Sequence, residues 1–115
     1  MPRSLVTVVV AALAGVLGPL ALAQDAKKIE RGKAVFAEQK CKMCHSIGGV
    51  GSPKGPLDDV GGKLSPADIK QWIVDPKAMA AKAKAERKPA MRSYKELPAE
   101  DVDALVAYLG SLKKK

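Results

Sequence analysis

Aromatic side chains are scarce: one Phe, one Trp and two Tyr among 115 residues. Rings of this kind supply much of the apolar area that a small core buries. Their shortage is the first sign that something other than side chains fills the centre of the fold. Histidine is scarcer still, with His45 alone, and cysteine is limited to Cys41 and Cys44. A closed zinc site takes about four ligands; these three residues supply at most three. The length leaves room for one domain, or one domain plus an export segment, and excludes a multidomain enzyme with its own nucleotide-binding half. Charge fraction and Pro/Gly content are ordinary, so neither a collagen-like nor a wholly disordered chain is expected.

Apolar residues are concentrated at the N-terminus. Arg3 is followed by an apolar stretch from Leu5 to Leu17, then Gly18-Pro19, then Ala21-Leu22-Ala23 with small residues at the two positions a signal peptidase reads. This is the order of a cleavable secretory signal over residues 1–23. Cleavage after Ala23 leaves a mature domain over residues 24–115. The rival is an uncleaved membrane anchor, since Leu5–Ala23 is just long enough to span a bilayer. Pro19 and the small-residue site favour cleavage, and the absence of a twin-Arg pair favours the general secretory route.

Four stretches of the remainder have helical character. Ile29, Gly32, Val35 and Phe36 form one face of a helix over 26–39. Eight Gly and Pro residues between Gly48 and Gly62 make 46–63 a loop. Ser65 caps a second helix, with Pro66 at its first position and Asp68 at its third; Ile69, Trp72 and Ile73 form its apolar face and Asp75-Pro76 ends it. Pro76 opens a third, Ala- and Lys-rich helix over about 76–88, solvated on most sides. After a connection over 89–97, Pro98 at the first helical position starts a last helix, with a stripe at Val102, Leu105, Val106, Leu109 and Leu112. No strand-length alternating run and no internal repeat are present. The expected fold is all-α, with three to four short helices around a loop-rich centre.

Both cysteines and the histidine fall in one pentapeptide, Cys41-Lys42-Met43-Cys44-His45. C-x-x-C-H is the attachment pattern for c-type haem. The spacing suits that chemistry: two thiols add to vinyl groups on neighbouring pyrrole rings, and the adjacent imidazole meets the iron from one face. Cys-x-x-Cys alone also fits a dithiol–disulfide pair or a structural disulfide in an exported protein. A thioredoxin-like pair belongs to a strand–helix unit, which this sequence does not show.

With these residues in view, the sequence resembles the class I c-type cytochromes, small soluble monohaem electron carriers. The resemblance runs over about 26–112. Gly32 and Phe36 look like the Gly and aromatic of the family's first helix, which cross the last helix at an aromatic, here Tyr108. Gly55-Pro56-Leu57 is similar to the family's Gly-Pro-x-Leu region, where the Pro carbonyl accepts the proximal imidazole N–H and orients it. Trp72-Ile73-Val74-Asp75-Pro76-Lys77 is similar to a W-x-x-D-P-K stretch, and Met91-Arg92-Ser93-Tyr94 to the distal Met loop. The resemblance implies a cytochrome c-like fold of short helices around one haem c, covalently attached through Cys41 and Cys44. It makes His45 and Met91 the iron ligands, a His/Met pair that favours Fe(II), and gives Pro56, Trp72 and Tyr94 as cofactor contacts. Met43 lies between the attachment cysteines, and Met79 falls on an expected helix. Two departures stand out: Arg92 replaces the usual Pro after the Met, and 78–88 is a run of Ala, Lys, Glu and Arg.

The net charge is +8, and ten of the cations, from Lys40 to Lys95, lie before, within or after the haem-binding segments. Singly these are solvated surface charges; together they would steer acidic partners. The expected function is soluble, exported electron transfer in a bacterial periplasm, with no catalysis by this chain alone. Its partners would be redox proteins with acidic docking surfaces: a dehydrogenase, membrane complex, oxidase or reductase. Nucleic acid and stable membrane insertion after cleavage are not expected, and a monomer is. The alternatives are a haem c subunit of a larger oxidoreductase and a ligand-binding haem sensor with a labile sixth position.

Overall fold

The computed structural model describes residues 17–85 and 87–114, and side chains from residue 22 onward. Most of the export segment expected over 1–23 therefore lies outside the described residues. The element order is α1 (Leu17–Glu38), a 3-10 turn (Cys41–Met43), β1 (Ser46–Ile47), β2 (Val50–Gly51), α2 (Val60–Lys63), α3 (Pro66–Val74), α4 (Pro76–Ala83) and α5 (Ala99–Gly110).

α1 begins well before the expected residue 26. From Ala21 to Ile29 the sequence offers no stop signal, so the helix propagates through Leu, Ala, Gln and Lys, all good helix formers. Among the described residues no helix is long and apolar enough to cross a membrane.

α1 and α5 pack face to face. A Cβ at Gly32 would strike the Ala104 carbonyl and the Tyr108 Cβ, so only glycine permits this approach. One turn on, Phe36 meets Tyr108 edge to face, with centroids 6.0 Å apart. The Arg31 guanidinium grips the Asp101 carboxylate with two bonds, Nε to Oδ1 at 3.0 Å and Nη2 to Oδ2 at 3.1 Å. The core they enclose with α3 consists of Val35, Ile69, Ile73, Val102, Leu105 and Leu109.

Ser65 Oγ accepts the Asp68 N–H at 3.2 Å and starts α3 as the sequence predicts. Asp75 ends α3 by donating its N–H to Gln71 O at 2.7 Å, then caps α4 by accepting the Ala78 N–H at 3.3 Å.

The architecture is all-α in character, with differences in detail. Five α-helices are described where three to four were expected, the extra one being the single-turn α2. The expected loop over 46–63 contains that turn and a small antiparallel hairpin pairing Ser46 with Gly51 and Ile47 with Val50; two-residue strands carry no alternation to read. The third helix stops at Ala83 rather than near 88. Its apolar face is too poor to extend packing, and Lys84 turns into left-handed backbone with φ 54°. Pro98 flanks α5 rather than opening it, its carbonyl already accepting the Asp101 and Val102 N–H groups.

Candidate functional site

The C-x-x-C-H pentapeptide begins where α1 ends. Lys40, in left-handed backbone at φ 57°, turns the chain aside. Cys41–Met43 then forms a 3-10 turn, with Cys41 O accepting the N–H groups of Cys44 at 3.1 Å and His45 at 3.0 Å. The turn sends its side chains different ways. Cys41 is half-buried and faces inward, Cys44 is exposed, and Met43 is 72% exposed. Neither cysteine is bonded to the other.

His45 is half-buried, and its Nδ1 lies 3.1 Å from the Gly55 carbonyl. A carbonyl only accepts, so Nδ1 carries the proton and Nε2 keeps a free lone pair. Burial holds the imidazole below its ordinary pKa, with the Arg87 charge acting the same way and the Gly55 bond opposing both. The neutral, metal-binding form is therefore favoured. Burial also pushes the Cys41 thiol up, against the lowering effects of Tyr94 and Arg92.

The acceptor is Gly55, not Pro56 as the family resemblance implies. The chain crosses Ser46 here in a parallel bridge opposite Pro56. Gly55 O receives the Ser46 N–H at 3.0 Å, and Leu57 N–H returns to Ser46 O at 2.8 Å. This register leaves the Gly55 carbonyl beside the ring and Pro56 outside the cleft wall. Space at Gly55 is tight, since a Cβ would meet the Cys44 carbonyl and the Arg87 guanidinium.

An apolar cleft of about 110 Å³ opens beside the turn. Cys41, His45, Trp72, Met91 and Tyr94 lie on its wall; α1 contributes Phe36, α3 Ile69 and Ile73, and α5 Leu105 and Leu109, with Leu57, Val60 and Leu64 completing it. Met91 is 36% exposed on a non-helical strap. The strap is tied to the end of α3 by Ser93 Oγ donating to Val74 O at 2.6 Å and Tyr94 N–H to Ile73 O at 2.9 Å. Met79 on α4 and the outward Met43 are not on the wall. Thus Cys41, His45, Met91, Trp72 and Tyr94 come together at one cleft, Cys44 sits one turn away from Cys41, and Pro56 stays apart.

The residues fit a haem. No side chain fills the cleft, and its wall is almost wholly apolar. Its wall presents a thiol, an imidazole with a free Nε2 and a thioether on an otherwise apolar lining, without an acidic side chain among the described residues. Two arginines of the site were not singled out in the sequence as site residues. Arg87 donates to the Cys44 carbonyl, and Arg92 lies 4.8 Å over the Tyr94 ring. In a run of cations Arg87 does not differ by sequence from a solvated charge, and Arg92 stands out only as the residue in place of the usual Pro.

A helical fold closed over an apolar cleft, with a C-x-x-C-H turn on its wall, defines a haem c-binding protein. The chain belongs to the cytochrome c family, which it matches over residues 29–113. The cofactor is therefore haem c, covalently attached, and the general role is electron transfer. The chain is 34% identical over 92 residues to cytochrome c oxidase subunit 2 of Alkalihalophilus pseudofirmus, covering 72% of this chain and 25% of that protein. It thus spans about a quarter of the length of this curated relative. No solved structure gives a significant match.

Proposed function

We propose that the chain is an exported monohaem electron carrier, with haem c joined to Cys41 and Cys44 and its iron held between His45 and Met91. The bound haem supplies one-electron chemistry, with iron alternating between Fe(III) and Fe(II). The observation that carries this reading is the presence of Cys41, His45 and Met91 on one apolar wall. Cys41 and Cys44 retain the cofactor. His45 offers Nε2 from a ring already oriented by Gly55. Met91 offers a neutral thioether, which with the water-poor wall favours Fe(II) and raises the reduction potential. With His45 and Met91 as its ligands, the iron would have no position left for a substrate. Trp72 and Tyr94 act as wall contacts that exclude water.

Cleavage after Ala23 and periplasmic residence are supported by the Arg3, Leu5–Leu17 and Ala21-Leu22-Ala23 pattern. The full chain's net charge of +8, from which cleavage would remove only Arg3, suits acidic redox partners met by a monomer. The oxidase-subunit relative favours a second reading, in which the haem domain works inside a larger oxidoreductase. Gel filtration of the protein with its co-expressed neighbours separates the two.

The visible spectrum of the reduced protein, with and without carbon monoxide, tests the ligation. Sharp haem c bands unmoved by the gas are expected. A clear shift would show an open or weak sixth position and bring a ligand-binding sensor forward.

A further inference from the structure

The strap that carries Met91 is poorly held by its own backbone. Residues 87–92 form no helix or strand, and their side chains are exposed. Among the described residues, no backbone–backbone hydrogen bond involves positions 87–92. Side chains supply the ties on either side of the methionine. Arg87 Nη2 donates to the Cys44 carbonyl. Arg92 Nη2 donates to Gln39 Oε1 at 3.3 Å, and the same guanidinium lies 4.8 Å over the Tyr94 ring on the cleft wall. Both arginines therefore land on one stretch, 39–45, which runs from the end of α1 through the attachment turn. A planar guanidinium can donate along its edge while stacking through its face, which a lysine cannot do. The acceptors are a carbonyl and a carboxamide, so the ties do not rest on charge pairs that salt would screen.

We propose that Arg87 and Arg92 are positioning residues that clamp the Met91 strap onto the attachment segment, and that this clamp sets how often the sixth iron position opens. The proposal rests on Met91 being the sixth ligand. It gives Arg92 a role where the resembling family has Pro: a side-chain tether does the work of a stiff backbone. Each arginine acts through Met91.

Imidazole uptake by the ferric holoprotein tests the clamp, because the probe enters only when Met91 leaves. Stopped-flow rates would be measured for the wild type, Arg87→Ala, Arg92→Ala, Arg87→Lys and Met91→Ala. Arg87→Ala and Arg92→Ala should each speed uptake about tenfold, the scale of one lost hydrogen bond. Arg87→Lys, which keeps a donor for the Cys44 carbonyl, should recover most of the wild-type rate. Thermal unfolding of the ferrous forms should show all variants folded, since both arginines are exposed. Wild-type rates in both alanine variants, beside rapid uptake by Met91→Ala, would overturn the clamp alone. A Met91→Ala protein with wild-type spectrum and uptake would overturn the axial reading itself, and the clamp with it.

Discussion

The imidazole of His45 is oriented by backbone, and its neighbours were chosen by space as much as by chemistry. Nδ1 is committed to the Gly55 carbonyl and burial keeps the ring neutral, so Nε2 keeps the free lone pair. Gly55 is packed between the Cys44 carbonyl and Arg87, with no room for a methyl group. Gly55→Ala should cost about 1–3 kcal/mol, the usual penalty of overpacking, read as a lower denaturant midpoint with an unchanged m-value. The attachment residues were legible because their chemistry is local: Cys41, Cys44 and His45 declare themselves by spacing. The imidazole's acceptor was misplaced by one residue, because a carbonyl leaves no mark in side-chain identity and its register depends on the bridge at Ser46. Arg87 could not be read at all. Its target lies 43 positions away, and nothing in a run of cations says which one folds back.

Between elements, the α1–α5 contact combines a glycine seat, an aromatic pair and the Arg31–Asp101 fork. Asp101 also lies in the first turn of α5, where negative charge suits the helix dipole. Its bonds to Arg31 hold the carboxyl below the usual range. The sign follows from linkage. The stabilisation is complete above the unfolded carboxyl pKa of about 3.9, and it is lost as pH falls through the lower folded value. Melting temperatures of the wild type and Asp101→Asn should therefore differ at neutral pH and converge at strongly acid pH. Helices with an apolar stripe or a capping pair were readable, α3 and α5 above all. α1 extends further than its stripe because nothing in the sequence halts it. α4 is shorter than its composition suggests, because helix propensity without a packed face does not hold a third turn.

Across the whole molecule, the shortage of rings and the open cleft are two sides of one fact. Core residues from α1, α3 and α5 meet around an apolar cleft whose wall carries Cys41, His45 and Met91. Replacing Cys41 and Cys44 together by Ser should prevent attachment and leave the chain without a cooperative thermal transition, as calorimetry would show; a chain this short has little other core to rely on. α5 borders this space and is fixed near its middle and beyond its C-terminal end. Near its middle, Ala104 and Tyr108 rest on Gly32. Beyond its end, the Gly61 N–H reaches Leu112 O at 2.9 Å and the Lys114 N–H reaches Asp59 Oδ1 at 2.8 Å. An added or deleted residue between Ala104 and Gly110 would turn one anchorage by about 100° against the other. This stretch of α5 thus acts as a gauge of fixed length, and drift in chain length among related sequences belongs elsewhere, in the segment after α4 or beyond Lys114.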